Sequence, residues 1–373
     1  MVRGLAHLLV LSATLLLMGC ESGPAPANNE PPVIEAVAVD HGAWAKLGYS
    51  LDWQGFPYAG VPGKAETTAL SPSKDIVLLQ ESGSTVVLVE ASTGALRWSV
   101  DLTSPLTRFV DLRRDPESPQ QVLVSSESEL FTLAAQTGNF LRRDRFPRVV
   151  NTPSVCVGGI AVYGTTAGEV FAHQVATGLK TWGYRSRAGI EARPVKLENT
   201  VGVVSQDGEV LFITPAGKVS GRSKVFEGLA NSPVTDGKYM FIAGLDQSVW
   251  AFDEHANMVW RYRTANPISA QPAVVQKMLV CDMPDTGLTA FETTTGKILW
   301  SNPAIHGTVI AARGGNLLVW DGSTAVLVEP SRGESIASTP LKDVARLAPD
   351  EFADGNLYVV SSTGSLCKFA PRG

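Results

Sequence analysis

Residues Gly287 to Trp300 read GLTAFETTTGKILW, and this phrase decides the fold. A short apolar strand ends in a small polar cluster, a Gly follows, and a Trp stands four positions later. The phrase recurs along the chain. Thr85 to Gly94 reads TVVLVEASTG, Glu129 to Gly138 reads ELFTLAAQTG, and Glu169 to Gly178 reads EVFAHQVATG. Glu209 to Gly217 reads EVLFITPAG, Ser248 to Ala256 reads SVWAFDEHA, Thr324 to Gly333 reads TAVLVEPSRG, and Ser365 to Gly373 reads SLCKFAPRG. The markers at 94, 138, 178, 217, 256, 296, 333 and 373 lie about 40 residues apart on average, the length of a four-stranded propeller blade.

Each unit holds four candidate strands. In the third, these are Pro153 to Val157, Gly159 to Gly164, Glu169 to Gln174 and Leu179 to Arg185. Val, Ile, Phe, Tyr and Thr fill the strands, and Gly, Asp, Asn and Ser fill the turns. Gly83, Gly168, Asp207-Gly208, Asp246, Gly287, Gly322 and Gly364 mark tight turns between second and third strands, where positive φ is required. No helical period spans three turns. The expected fold is all-β: an eight-bladed β-propeller of four-stranded antiparallel blades.

The aromatic marker is Trp98, Trp182, Trp260 and Trp300, expected to pack between neighbouring sheets. Arg142, Gly221 and Ala337 hold its place in the second, fourth and seventh units, which should be less regular. The eighth unit stops before a fourth strand. Near the start, Tyr49-Ser50-Leu51-Asp52-Trp53 echoes Trp98-Ser99-Val100-Asp101-Leu102, so an N-terminal strand is expected to complete the last blade and close the ring.

Ahead of the repeats, Arg3 and the apolar stretch Leu5 to Met18 form a targeting segment, shorter than the roughly 20 residues a spanning helix needs. Leu17-Met18-Gly19-Cys20 resembles a bacterial lipobox, which implies a signal peptide over 1–19 and acylation of Cys20. Glu21, rather than Asp, implies sorting to the outer membrane. Residues 20–38 are rich in Pro, Ala, Asn and Gly and read as a tether, with the propeller over 39–373.

The net charge is −5, from 31 basic and 36 acidic residues with no basic block, so nucleic-acid binding is excluded. His7, His41, His173, His255 and His306 show no metal-ligand spacing, and no metal is expected. Cys156, Cys281 and Cys367 lie in apolar runs and should be buried and unpaired. There is no G-x-S-x-G elbow and no phosphate-binding Gly loop before a helix.

The phrases ASTGALRW, VATGLKTW and TTTGKILW resemble the tryptophan-docking repeats of quinoprotein-type propellers, over roughly residues 44 to 373. Two groups share such repeats: pyrroloquinoline-quinone dehydrogenases and BamB-like outer-membrane lipoproteins. The enzymes carry insertions, a vicinal Cys-Cys pair and a calcium set. No two cysteines here are adjacent, and Asp246, Asp282 and Asp321 stand in turn contexts. No catalytic residue and no cofactor is therefore assigned. The BamB-like resemblance implies a monomeric scaffold on the periplasmic face of the outer membrane, docking the β-barrel assembly machinery through loops between early and middle blades. These would be Arg185 to Pro194 and Gly228 to Pro233, with Arg185, Arg187, Glu191 and Arg193 as polar candidates. The docking patch itself departs from the family: Ser186-Arg187-Ala188-Gly189 stands for a Leu-x-Leu-Arg patch, and Gly228-Leu229-Ala230 for acidic residues. A module for a glycan or another envelope protein is the other reading, and a quinone-dependent dehydrogenase the least favoured.

Overall fold

Second and third strands such as Ile76–Glu81 (IVLLQE) and Thr85–Glu90 (TVVLVE) are apolar almost without interruption. Such runs arise where a sheet is covered on both faces. All six residues of Ile76–Glu81 are buried. Outer strands such as Leu96–Asp101 (LRWSVD) are instead largely uncovered: its two ends are exposed and only Trp98 is buried. A blade packed between two neighbours, with its last strand at the rim, produces both patterns.

The structure, a computed structural model, describes residues 38–56, 66–102 and 107–373. The signal peptide and most of the tether, Cys20 included, lie outside the described residues. The strands form eight four-stranded antiparallel sheets. Blades 1 to 7 span 67–101, 109–145, 155–185, 195–224, 234–263, 273–302 and 308–340, each in simple sequence order. Blade 8 is composite: the strands Arg346–Pro349, Leu357–Val360 and Leu366–Pro371 are completed by Tyr49–Gly55. This is the eight-bladed propeller that the repeat predicts, closed by the N-terminal strand.

The closure differs from the expectation in register. Leu51 pairs with Phe369 and Trp53 with Lys368 across a bulge, just as Leu96 pairs with Val89 and Trp98 with Leu88. Leu51-Asp52-Trp53 thus corresponds to Leu96-Arg97-Trp98, and Trp53 is a fifth tryptophan of the series. Matching Tyr49 to Trp98 had shifted the strand by four positions. By the same register Gly373 falls at the place of Thr93, one residue short of the Gly marker.

At seven of the eight seams the outer strand sends a donor to a turn carbonyl of the next blade. Trp53 Nε1 donates to Ala91 O at 2.9 Å, Trp98 to Ala135 O at 2.9 Å, and Trp182 to Pro215 O at 2.8 Å. Trp260 donates to Thr293 O at 2.8 Å and Trp300 to Pro330 O at 2.7 Å. In blade 2, where Arg142 replaces Trp, its guanidinium bonds Ala176 O. In blade 4, Gly221 lets the backbones close in, and neighbouring Ser220 Oγ donates to Glu254 O at 2.8 Å.

The marker glycines follow from this. An added Cβ on Gly296 would sit 2.5 Å from Trp260, and on Gly94 2.6 Å from Trp53. Each glycine therefore seats the indole of the preceding blade, not that of its own unit. Both also adopt positive φ, +70° and +71°.

The seam after blade 7, where Ala337 holds the Trp place, is filled differently. The six-residue helix His41–Lys46, capped by Asp40 Oδ1 accepting from Ala43 N–H at 3.0 Å, lays Trp44 on Phe369 with ring centroids 3.8 Å apart. Leu47, Leu327 and Leu341 complete that core, with Ala337 against it. The sequence reading had no helix here. It also placed the blade 5 turn at Asp246, whereas the positive φ, +61°, falls on Gln247.

Candidate functional site

Four antiparallel strands in sequence order put two sets of turns on opposite faces. One face carries the blade-to-blade connections and the turns between second and third strands. Around blades 3 to 5 this connection face gathers the two loops singled out from sequence.

The first loop is fixed by its backbone. Ile190 is fully buried and its N–H donates to Thr165 O at 2.9 Å. Arg185, Arg187 and Glu191 are exposed around it. Gln206, from the blade 4 turn, lies between the two loops and bonds the first. Its N–H donates to Gly189 O at 2.8 Å and its Nε2 to Glu191 Oε2 at 2.9 Å. Gly228 lies so close that a Cβ would stand 2.6 Å from Gln206 O, and Leu245 N–H reaches Gly228 O at 3.2 Å.

Arg193 does not join this group. Its backbone N–H donates to Ser232 Oγ at 3.0 Å and its Nε to Ser154 O at 3.2 Å, which carries the side chain along the inner wall. Arg185, Arg187 and Glu191 are therefore brought together on the connection face, while Arg193 belongs to the axis.

Phe226 was missed from sequence. It stands just past the outer strand of blade 4, 69% exposed. Arg261 lies 4.9 Å from its ring centre and 4.1 Å from that of Trp250. Trp250 Nε1 in turn donates to Asp246 Oδ2 at 2.9 Å, and the Arg261 Nε donates to Ser248 Oγ at 3.1 Å. An open cavity of about 550 Å³ between Phe226, Leu245, Arg261, Arg263 and Pro267 adjoins them. The one sequence signal was Val225-Phe226, two apolar residues closing a polar strand: Val225 turns inward and Phe226 outward.

The carboxylates weighed as catalytic are engaged within the fold. Asp246 also accepts from Phe226 N–H at 3.2 Å, and Asp282 from Gly307 N–H at 2.8 Å and His306 at 2.9 Å. Asp321 caps its own turn. Burial raises its pKa, but the N–H groups of Thr324 and Ser323 outweigh this and hold it below the usual range. Cys281 and Cys367 are buried, Cys156 partly so, and all three are unpaired. Burial pushes the Cys281 thiol up to about 12 and raises the other two. Among the described residues no three His, Cys, Asp or Glu side chains converge on a metal position, and no helix is long and apolar enough to cross a membrane.

A family profile described as outer membrane protein assembly factor BamB matches residues 47–184 and 197–366. The chain belongs to the BamB family. The protein of that name from Bordetella pertussis is 24% identical over 163 residues, which make up 42% of this chain and 41% of the relative. Among solved structures, BamB from Moraxella catarrhalis matches with a TM-score of 0.64 at 18% identity, covering 81% of this chain and 93% of that one. A computationally designed protein, Ika8, matches with a TM-score of 0.67 at 15% identity, over 83% and 97%. The two structural likenesses speak for the propeller alone.

Proposed function

We propose that this BamB-family chain is a lipid-anchored, non-catalytic docking propeller on the periplasmic face of the outer membrane, serving β-barrel protein assembly. The reading is carried by the connection face at blades 3 to 5, where Gln206 fastens one loop and packs closely on Gly228 of the next, with Arg187, Glu191 and Phe226 exposed. A preformed surface with an exposed aromatic ring and flanking arginines is what protein docking uses, because little ordering cost remains on binding. Its chemistry differs from a leucine-rich patch, so the partner's matching surface would differ with it. The engaged carboxylates and non-adjacent thiols support a non-catalytic role. Lipidation at Cys20 and a monomeric state complete the proposal.

The test is crosslinking of the full lipidated protein in its own membrane, with mass spectrometry of what is captured. Enrichment of barrel-assembly proteins, lost on Arg187→Glu with Phe226→Ala, is the expected result. Capture unchanged by that double variant, or no assembly protein captured by folded and anchored protein, would sink the role.

A further inference from the structure

The inner strands of blades 3 to 6 border a wide-open axial cavity of about 620 Å³, separate from the Phe226 cavity on the connection face. Four positions 39 residues apart approach it from successive blades: Ser154, Arg193, Ser232 and Gln271. Three of them have side-chain partners within the fold. Ser154 Oγ donates to Asp111 Oδ2 at 2.7 Å; Ser232 Oγ accepts from Arg193 N–H; and Gln271 exchanges bonds of 3.2 and 3.1 Å with the Ser232 backbone.

Arg193 is the exception. Its guanidinium uses only Nε, toward Ser154 O, and both Nη groups lack a partner among the described residues. No carboxylate there forms an ion pair with it. Asp111 is engaged by Arg113 at 2.8 Å and by Ser154. Partial desolvation of the guanidinium and the nearby Arg113 cation lower the Arg193 pKa from its ordinary value, with Asp111 working against them. Arg193 is an exposed residue at this cavity, and a guanidinium whose Nη edge is open and unpaired can receive an anion there. Lys196, also without an ion pair among the described residues, adds a second positive charge to the same wall.

The rest of the wall is apolar and held in place. Pro194, Pro233 and Pro272 line it from three blades. Phe352 reaches it from blade 8 on a loop clamped to blade 7: Ala312 N–H donates to Phe352 O at 2.6 Å, and Asp354 N–H returns to Ala312 O at 2.8 Å. The ring is 38% exposed, an unusual state for an aromatic side chain on so fixed a loop.

We propose that the axial cavity binds a small organic carboxylate, its two oxygens held by the free Nη edge of Arg193 and its apolar body against Phe352 and the prolines. One guanidinium edge fits the planar fork of a carboxylate. The proline and phenyl wall suits an apolar body rather than a compact, heavily hydrated dianion.

Thermal unfolding of the full chain in benzoate, acetate and inorganic phosphate tests this. Benzoate should raise Tm saturably, with acetate and phosphate weaker. Arg193→Gln should weaken benzoate roughly tenfold or more, as expected for losing a charge-assisted pair. Arg187→Gln, the same charge change on the connection face, should leave it unaltered. Phe352→Ala, at an exposed position, should weaken benzoate but not acetate, and it carries the test if Arg193→Gln fails to fold. No saturable effect of benzoate, equal effects in wild type and both cavity variants, or tighter binding of phosphate would each overturn the assignment.

Discussion

Trp53 Nε1 donates to the carbonyl oxygen of Ala91 at 2.9 Å, so a residue of the N-terminal strand in blade 8 docks onto blade 1. The bond repeats at the ring's closing seam the contact Trp98 makes to Ala135 one seam later. Trp53 is only partly buried, so Trp53→Ala should cost about 2–3 kcal/mol, below the range for a fully buried aromatic. Urea unfolding checks this; a loss near that of an exposed surface residue would mean the closing seam does not rely on the indole.

Gly296→Ala meets two obstacles together, a positive φ and the Trp260 ring 2.5 Å from the new methyl. A left-handed conformation alone costs a non-glycine residue roughly 1–2 kcal/mol, and overpacking adds about 1–3. The expected loss is at least about 2 kcal/mol in a chemical denaturation series. The reverse change at exposed Gln276, whose φ of +56° matches those of Gly158 and Gly314, should stabilise: Gln276→Gly by up to about 1 kcal/mol.

The seam between blades 2 and 3 should be acid-sensitive. His173 is buried, 3.4 Å from Asp144, which also pairs with Arg142 at 2.7 Å. Burial lowers its pKa below 6.5; Asp144 works against this and Arg142 with it. Above about pH 6.5 the imidazole is neutral folded and unfolded, and its contribution to stability is fully present. As pH falls below that, the unfolded chain takes up a proton the folded one resists, and stability drops until the folded pKa is passed. His173→Gln should flatten this slope in denaturant midpoints measured across the window. Arg142→Ala should move the His173 titration upward by NMR, since an opposing cation is removed and Asp144 stays.

Thiol labelling offers a quick check on the core. Cys281, with its pKa near 12, and Cys367, also raised, should resist maleimide in the folded protein and react once it is unfolded in urea. Rapid labelling of Cys281 under native conditions would show that blade 6 opens far more readily than its packing implies.

The fold was legible because a propeller repeats its instructions. Strand Leu179–Arg185 was read with the bounds it has, since apolar runs and turn residues recur from blade to blade and correct one another. What escaped were positions where one seam solves the common problem by other chemistry. Arg142 stands where Trp is expected and still reaches the next blade's carbonyl, a role invisible without knowing where the indole points. Trp44 fills the seam at Ala337 from a helix about 290 residues away in sequence, and no local pattern encodes such a contact. The site was less legible still. Arg187 and Arg193 look alike in a loop of ordinary polarity, yet one meets solvent at the connection face and the other the axis. Only the paths taken by Ile190 and Ala192 into the core separate them.

The composite blade also sets the order in which this ring can form. Gln54 Nε2 bonds Ser365 Oγ across 311 residues, so the strand that seals the circle is made long before its partner. Until Leu366–Pro371 is available, Tyr49–Gly55 has no edge to pair with, and blades 1 and 7 each face water on one side. Closure then brings together the two most distant parts of the fold, the kind of pairing that comes late and slowly. Loss of Leu366–Pro371 should accordingly leave the same open arc as loss of Tyr49–Gly55, a molecule with seven formed blades and two exposed flanks prone to self-association.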